Sequence, residues 1–124
     1  MIRVLMVGFG GFIGTLARYW LSGVVVKRYG ETFPLGTLLV NLAGCLLVGF
    51  LFHVFYERAL TSPTLRTAIF IGLLGGFTTF SAYGLQTFTL IRDGEIGFAL
   101  LNVAASNVLG LILVWLGFML AKAM

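Results

Sequence analysis

Charged side chains are missing from most of this sequence. Residues 32–56, 67–91 and 96–121 contain no Asp, Glu, Lys or Arg, and residues 4–26 contain only Arg18. Each uncharged stretch has at least 25 residues, about 37 Å as a helix, which exceeds the ~30 Å hydrocarbon core of a bilayer. Charged residues make up only 10% of the chain, and the mean hydropathy is +1.08. We therefore predict an all-α integral membrane protein with four transmembrane helices in a single domain, residues 1–124.

Cysteine, histidine and acidic residues are also scarce. The chain has one cysteine, Cys45, which excludes an intrachain disulfide. The single histidine leaves no ligand cluster for a transition metal within one chain. The four acidic residues lie outside the uncharged stretches, so no nucleophile, base and acid occur together at one membrane depth, and we do not expect an enzyme. The basic residues are spread over the span ends as membrane anchors, which does not indicate nucleic-acid binding.

The basic residues do not favour either orientation in the membrane. With four helices, the N-terminus, the loop at residues 57–66 and the C-terminus share one side. That side carries Arg3, Arg58, Arg66 and Lys122, and the other carries Lys27, Arg28 and Arg92, with Arg18 added if its side chain reaches that surface. The positive-inside rule therefore predicts no preferred orientation for this chain. We predict dual topology, with a second copy of the chain as partner in an antiparallel homodimer.

The middle of the third apolar stretch is unusual for a membrane helix. Its midpoint falls at residue 79, within the sequence Gly-Gly-Phe-Thr-Thr-Phe-Ser of residues 75–81. Glycine and β-branched threonine are poor helix formers, and a broken helix frees carbonyl groups at the membrane centre. We predict a third helix that is broken at its centre, where carbonyls from two copies could surround a small hard cation such as Na⁺. A continuous helix with a kink at the glycines is the alternative.

Polar side chains recur at intervals of one turn in the second and fourth stretches. Thr37 and Asn41 share one helix face, and the Asn41 amide offers two N–H donors. Asn102 and Ser106 form a similar polar stripe in the fourth stretch. Asn107 would point about 100° away from that stripe on a regular helix, so we assign it to helix packing.

The first stretch contains Gly10 and Gly14, whose spacing favours close approach of two helices in lipid. Arg18 is the only formal charge inside a span, where an arginine costs about 2.5–3.5 kcal/mol on insertion scales. Arg18 either reaches the interface or supplies a positive charge near an aqueous vestibule. In the third stretch, Phe80 and Tyr83 share a face, and the electropositive edges of such rings can host an anion.

Residues 75–81, taken with Gly-Thr-Leu-Leu-Val-Asn at residues 36–41 and with Gly44, resemble the Fluc (CrcB-type) fluoride channels. The resemblance covers essentially the whole chain, including the length, the four spans, the order of the motifs and the glycine-rich first helix with Arg18. It implies an antiparallel dual-topology dimer with two fluoride pathways and a buried structural Na⁺, located in the bacterial plasma membrane.

The resemblance also implies roles for individual residues. The backbone carbonyls of Gly75 and Thr78 would bind Na⁺. The fluoride pathway would be lined by Asn41, Phe80 and Ser106, to which we add Thr37 and Tyr83. The family often has Phe, Glu and Tyr where this chain has Tyr83, Gln86 and Asn102. Tyr83 keeps an aromatic edge and adds a hydroxyl, whereas the roles of Gln86 and Asn102 stay open.

The resemblance favours passive fluoride export as the function. The alternative is a small multidrug-resistance-type exporter, which is also short, four-spanned and of dual topology. Proton-coupled export of cations requires a titratable carboxylate inside the membrane. Because the acidic residues of this chain are Glu31, Glu57, Asp93 and Glu95, all in loops, the sequence argues against that alternative.

Overall fold

The computed structural model describes residues 1–58 and 61–124, and every regular element within them is helical. The α-helices are α1 (Ile2–Tyr29), α2 (Leu35–Phe52), α3 (Pro63–Thr67), α4 (Gly75–Phe77), α5 (Phe80–Arg92), α6 (Ile96–Ala104) and α7 (Gly110–Ala123). Three π-helical segments, His53–Glu57, Ala68–Leu74 and Ala105–Leu109, extend α2, join α3 to α4 and join α6 to α7.

These elements form four apolar helical segments that are long enough to cross a membrane. We call them span 1 (Ile2–Tyr29), span 2 (Leu35–Glu57), span 3 (Pro63–Arg92) and span 4 (Ile96–Ala123). The prediction of an all-helical chain with four long apolar helices is therefore confirmed.

Local sequence explains where several of these helices begin and end. Span 1 ends before Gly30, whose φ of 78° suits a residue without a Cβ. The Ser62 hydroxyl caps α3 by accepting a hydrogen bond from the backbone N–H of Leu65 at 3.3 Å. Gly94, with a φ of 82°, lies in the short turn between spans 3 and 4. These turns keep successive spans close together.

Glycines set the packing of span 1 against the first half of span 3. A Cβ on Gly10 would lie 2.7 Å from the Ala68 carbonyl oxygen, and one on Gly76 would lie 2.6 Å from the Gly11 carbonyl oxygen. A Cβ on Gly14 would overlap the Leu73 carbonyl oxygen. Close helix packing through Gly10 and Gly14 is thus confirmed.

Span 2 packs chiefly against the second half of span 4 in the same manner. A Cβ on Gly49 would overlap the Val114 carbonyl, and a Cβ on Gly117 would overlap the Leu46 carbonyl. The Arg58 guanidinium also donates a hydrogen bond to the Ala121 carbonyl at 3.0 Å, where a cation complements the C-terminal end of a helix. The end of span 2 therefore lies beside the end of span 4.

The helical backbone of span 3 is interrupted between α4 and α5. Thr78 has φ −86° and ψ 158°, and Thr79 has φ −150° and ψ 113°, so both residues are extended. The helix resumes at Phe80 because the Thr79 hydroxyl accepts a hydrogen bond from the backbone N–H of Ala82 at 3.2 Å. This two-residue interruption organises the candidate site.

Candidate functional site

Asn41 of span 2 is paired with the backbone of Thr79 at the interruption. The Asn41 side-chain nitrogen donates to the Thr79 carbonyl at 3.0 Å, and the Thr79 backbone N–H donates to Asn41 Oδ1 at 2.8 Å. The side-chain amide thus takes the place of a neighbouring peptide group. Two backbone groups that cannot be solvated in hydrocarbon are satisfied in this way, while the second N–H of the Asn41 amide has no part in this pair.

The same hydrogen bonds leave helical carbonyls without their usual donors. In a continuous helix, the N–H of Thr79 would donate to Gly75 and the N–H of Ala82 would donate to Thr78. In this structure these two N–H groups donate to Asn41 Oδ1 and to the Thr79 hydroxyl instead. The carbonyls of Gly75 and Thr78 are therefore released from the helical ladder at the interruption.

A cavity of about 380 Å³ opens beside the interruption, and we call it the central cavity. Six of the seven positions that the sequence analysis assigned to the fluoride pathway or to Na⁺ line it, namely Asn41, Gly75, Thr78, Phe80, Tyr83 and Ser106. Residues from spans 2, 3 and 4 thus meet at one place although they are far apart in the chain. The chemistry of this cavity consists of amide and hydroxyl groups among apolar side chains, with no charged residue among those that line it.

Two of the three aromatic residues that line the central cavity, Phe80 and Tyr83, are neighbours at the start of α5. The ring centroids of Phe80 and Tyr83 are 5.5 Å apart, and the ring planes are inclined by 43°. The Phe80 side chain is 84% exposed, so the edge of its ring is accessible. Electropositive ring edges attract anions without a formal charge.

Ser106 and Asn107 both reach the central cavity from span 4. Asn107 was assigned to helix packing; its side-chain nitrogen contacts the Tyr83 hydroxyl of α5 at 3.3 Å, and the residue also lines the central cavity. Residues 105–109 form a π-helical segment, which changes the register of side chains and is frequent at functional sites. The Ser106 hydroxyl is buried and forms no hydrogen bond with the described residues, so a polar occupant of the cavity would be its natural partner.

Thr37 and Arg18 lie in a second cavity of about 260 Å³, which we call the arginine cavity. It is lined by Thr15, Arg18, Tyr19, Ser22, Thr37, Thr79 and Ala82. The structure therefore does not bring Thr37 into the central cavity with Asn41. Thr79 lines both cavities, so the interruption of span 3 lies between them. Arg18 forms no ion pair with a described carboxylate, and its charge is free to act on the arginine cavity.

The structure supplies contacts for the two residues whose roles were left open. Asn102 is only 2% exposed and donates to the Thr87 hydroxyl at 2.9 Å, while that hydroxyl donates to the Tyr83 carbonyl at 2.8 Å. Asn102 thereby ties α6 to α5. The side-chain oxygen of Gln86 is buried and accepts no hydrogen bond from the described residues.

Comparison with known proteins identifies the family of this chain. Residues 5–118 match the model of the family described as CrcB-like protein, Camphor Resistance (CrcB). A protein of Methylobacillus flagellatus named fluoride-specific ion channel FluC is 48% identical over 123 residues, covering 98% of this chain and 96% of that protein. A protein of Citrifermentans bemidjiense with the same name is 44% identical over 124 residues and covers both chains completely.

The aligned residues include all four spans. The relatives come from bacteria, and the four long apolar helices make this chain a multi-pass membrane protein. The chain therefore belongs to the CrcB-like family.

Proposed function

We propose that this protein is a fluoride-selective channel through which fluoride leaves the bacterial cell passively across the plasma membrane. The observation that carries the proposal is the central cavity, where amide and hydroxyl donors and aromatic edges surround a break in a membrane helix. Fluoride is small and strongly hydrated, so a pathway must replace its water with oriented donors. The names of the relatives describe such a channel, which is a transport function and not an enzymatic one.

The two cavities suggest a route for the ion. Arg18 and Thr37 would attract fluoride into the arginine cavity, which serves as a vestibule. From there the ion would pass the interruption at Thr79 and enter the central cavity, where its partners are the free amide N–H of Asn41, the edges of Phe80 and Tyr83, and the Ser106 hydroxyl. Donors without formal charge favour passage, since they stabilise the anion without trapping it.

The released carbonyls of Gly75 and Thr78 would bind one Na⁺. Sodium is a hard cation that prefers oxygen, and unwound backbone carbonyls are the groups that coordinate it in discontinuous membrane helices. Both residues line the central cavity. A Cβ on the neighbouring Gly44 would overlap the Thr78 side chain, so span 2 packs closely against the interruption at this point. We expect removal of Na⁺ during purification to lower the melting temperature. An unchanged melting temperature in sodium-free buffer would contradict this assignment.

The break in span 3 would act within an antiparallel homodimer. The near-equal numbers of basic residues on the two sides allow insertion in both orientations. Phe80 is largely uncovered in one protomer although it lines the central cavity, so a second copy could complete the wall. Reporters fused to the C-terminus should be active on both sides of the membrane. Activity on one side alone would exclude antiparallel assembly.

The small multidrug-resistance alternative has no support from the structure or the relatives. A proton-coupled exporter needs a titratable carboxylate within the membrane, whereas Glu31, Asp93 and Glu95 lie outside the four spans. Glu57 is the last residue of span 2 and is exposed. Neither cavity is lined by an acidic residue.

Ion release from liposomes tests the proposed function. Purified protein is reconstituted into liposomes loaded with equal concentrations of fluoride and chloride, and the two ions are followed by selective electrodes. We expect rapid release of fluoride with retention of chloride, and no release from protein-free liposomes. Retention of both ions, or release of both at one rate, would contradict a fluoride-selective channel.

A further inference from the structure

Tyr83 and Asn107 form a hydrogen bond between α5 and span 4 at the wall of the central cavity. The Asn107 side-chain nitrogen lies 3.3 Å from the Tyr83 hydroxyl oxygen and 2.8 Å from the Val103 carbonyl oxygen. Both Asn107 and Tyr83 line the cavity. This contact joins the only aromatic hydroxyl in the cavity to the residue that the π-helical segment turns towards it.

The Val103 carbonyl fixes the orientation of the Asn107 amide. A carbonyl oxygen only accepts, so the amide group facing it at 2.8 Å must be the NH₂ group and not Oδ1. The NH₂ group has two protons, of which one is donated to Val103 and the other to Tyr83. The Tyr83 oxygen is therefore the acceptor in its contact with Asn107.

The direction of this bond leaves the phenol proton of Tyr83 free. A tyrosine hydroxyl can accept and donate at the same time, and none of the hydrogen bonds formed by the described residues uses the Tyr83 proton. Accepting a hydrogen bond polarises the O–H group and makes it a stronger donor. The cavity thus contains a hydroxyl donor that is directed and strengthened by Asn107.

We propose that the Tyr83 hydroxyl donates a hydrogen bond to the permeating anion and that Asn107 is the positioning residue that orients it. The proposal rests on fluoride conduction as the proposed function and adds a donor to the ring edge of Tyr83. It gives the anion a partner beside span 4, in the cavity that the Asn41 amide also lines. The Ser106 hydroxyl, which lines the same cavity, is a second hydroxyl donor available to the ion.

Fluoride efflux from liposomes tests the functional part of the proposal. Tyr83→Phe keeps the ring and removes the hydroxyl, and Asn107→Leu keeps the approximate volume and removes the amide. We expect each variant to slow fluoride efflux by about fivefold, the effect of losing one hydrogen bond, and the double variant to be no slower than Tyr83→Phe. Tyr29→Phe is the matched control, because Tyr29 is exposed at the end of span 1, and it should conduct like the unmodified protein.

A spectroscopic measurement separates anion binding from a merely structural role. The chain has four tyrosines, so labelling the ζ carbon of tyrosine with ¹³C gives four resonances, and Tyr83→Phe identifies one of them. We expect fluoride to shift the Tyr83 resonance and to leave that of Tyr29 unchanged, with a smaller shift in Asn107→Leu.

The outcomes distinguish this inference from the proposed function. The inference is wrong if Tyr83→Phe conducts fluoride as fast as Tyr29→Phe and if fluoride does not shift the Tyr83 resonance. In that case conduction by the unmodified protein still supports the proposed channel. If the unmodified protein releases no fluoride, the proposed function itself fails. Should Asn107→Leu not fold, Tyr83→Phe and the resonance of the unmodified protein still decide the matter.

Discussion

Replacing Asn41 by leucine should damage both the stability and the conduction of this protein. The substitution keeps the approximate volume of the side chain but removes both hydrogen bonds to Thr79, which measure 3.0 and 2.8 Å. It leaves one backbone N–H and one backbone carbonyl without partners at the interruption of span 3. Since each buried polar group left unpaired costs about 1–3 kcal/mol, we expect a loss of about 2–6 kcal/mol, a large part of the ~5–15 kcal/mol that typically stabilises a protein.

Asn102→Leu is the matched control, because Asn102 forms one side-chain hydrogen bond, to the Thr87 hydroxyl. Thr87 keeps its bond to the Tyr83 carbonyl in that variant, so its stability loss should be about half that of Asn41→Leu. Thermal unfolding in detergent measures both losses, and fluoride efflux measures conduction. If Asn41→Leu unfolds at the same temperature as Asn102→Leu, the amide pair with Thr79 does not support the interruption.

Three further substitutions test other parts of the account. Asn41→Asp should retain the bond from the Thr79 N–H, but it places a second acceptor against the Thr79 carbonyl and adds a negative charge on the anion route. Fluoride efflux should therefore stop, and efflux at the unmodified rate would contradict the route. Phe80→Ile keeps an apolar side chain of similar bulk but removes the electropositive ring edge. Fluoride efflux should fall sharply while size-exclusion chromatography shows an intact assembly. Normal efflux would mean that the ion passes elsewhere. Gly49→Ala places a Cβ against the Val114 carbonyl and should cost about 1–3 kcal/mol as an overpacking change. Gly8→Ala, with open space around it, should not lower the melting temperature, because alanine favours a helix more than glycine does. Equal melting temperatures of the two variants would contradict the packing of span 2 on span 4.

The membrane-spanning helices could be predicted from the sequence because the relevant signal is local. A stretch of 25 residues without a charge has few stable locations other than a bilayer. The glycines and threonines at residues 75–79 likewise drew attention to the centre of span 3, since poor helix formers stand out there. These inferences need only composition and spacing.

The contacts of the site could not be predicted in the same way. Asn41 was identified as a donor from its amide group, but its partner Thr79 is 38 residues away, and only the packed structure brings the two together. Thr37 shares a helix face with Asn41 in the sequence, yet it faces the arginine cavity. The place of Asn107 on the wall of the central cavity was not predicted either, because the π-helical segment at residues 105–109 has no reliable signature in a single sequence.

The central claim, passive and selective conduction of fluoride, is tested most directly by the reversal potential of a bilayer that contains this protein alone. One side of the bilayer carries fluoride and the other carries mainly chloride, and the voltage at which the current vanishes is recorded at several fluoride ratios. The account predicts a current whose reversal follows the fluoride equilibrium potential and does not respond to chloride. A reversal potential that follows chloride, or a bilayer without current, would contradict it.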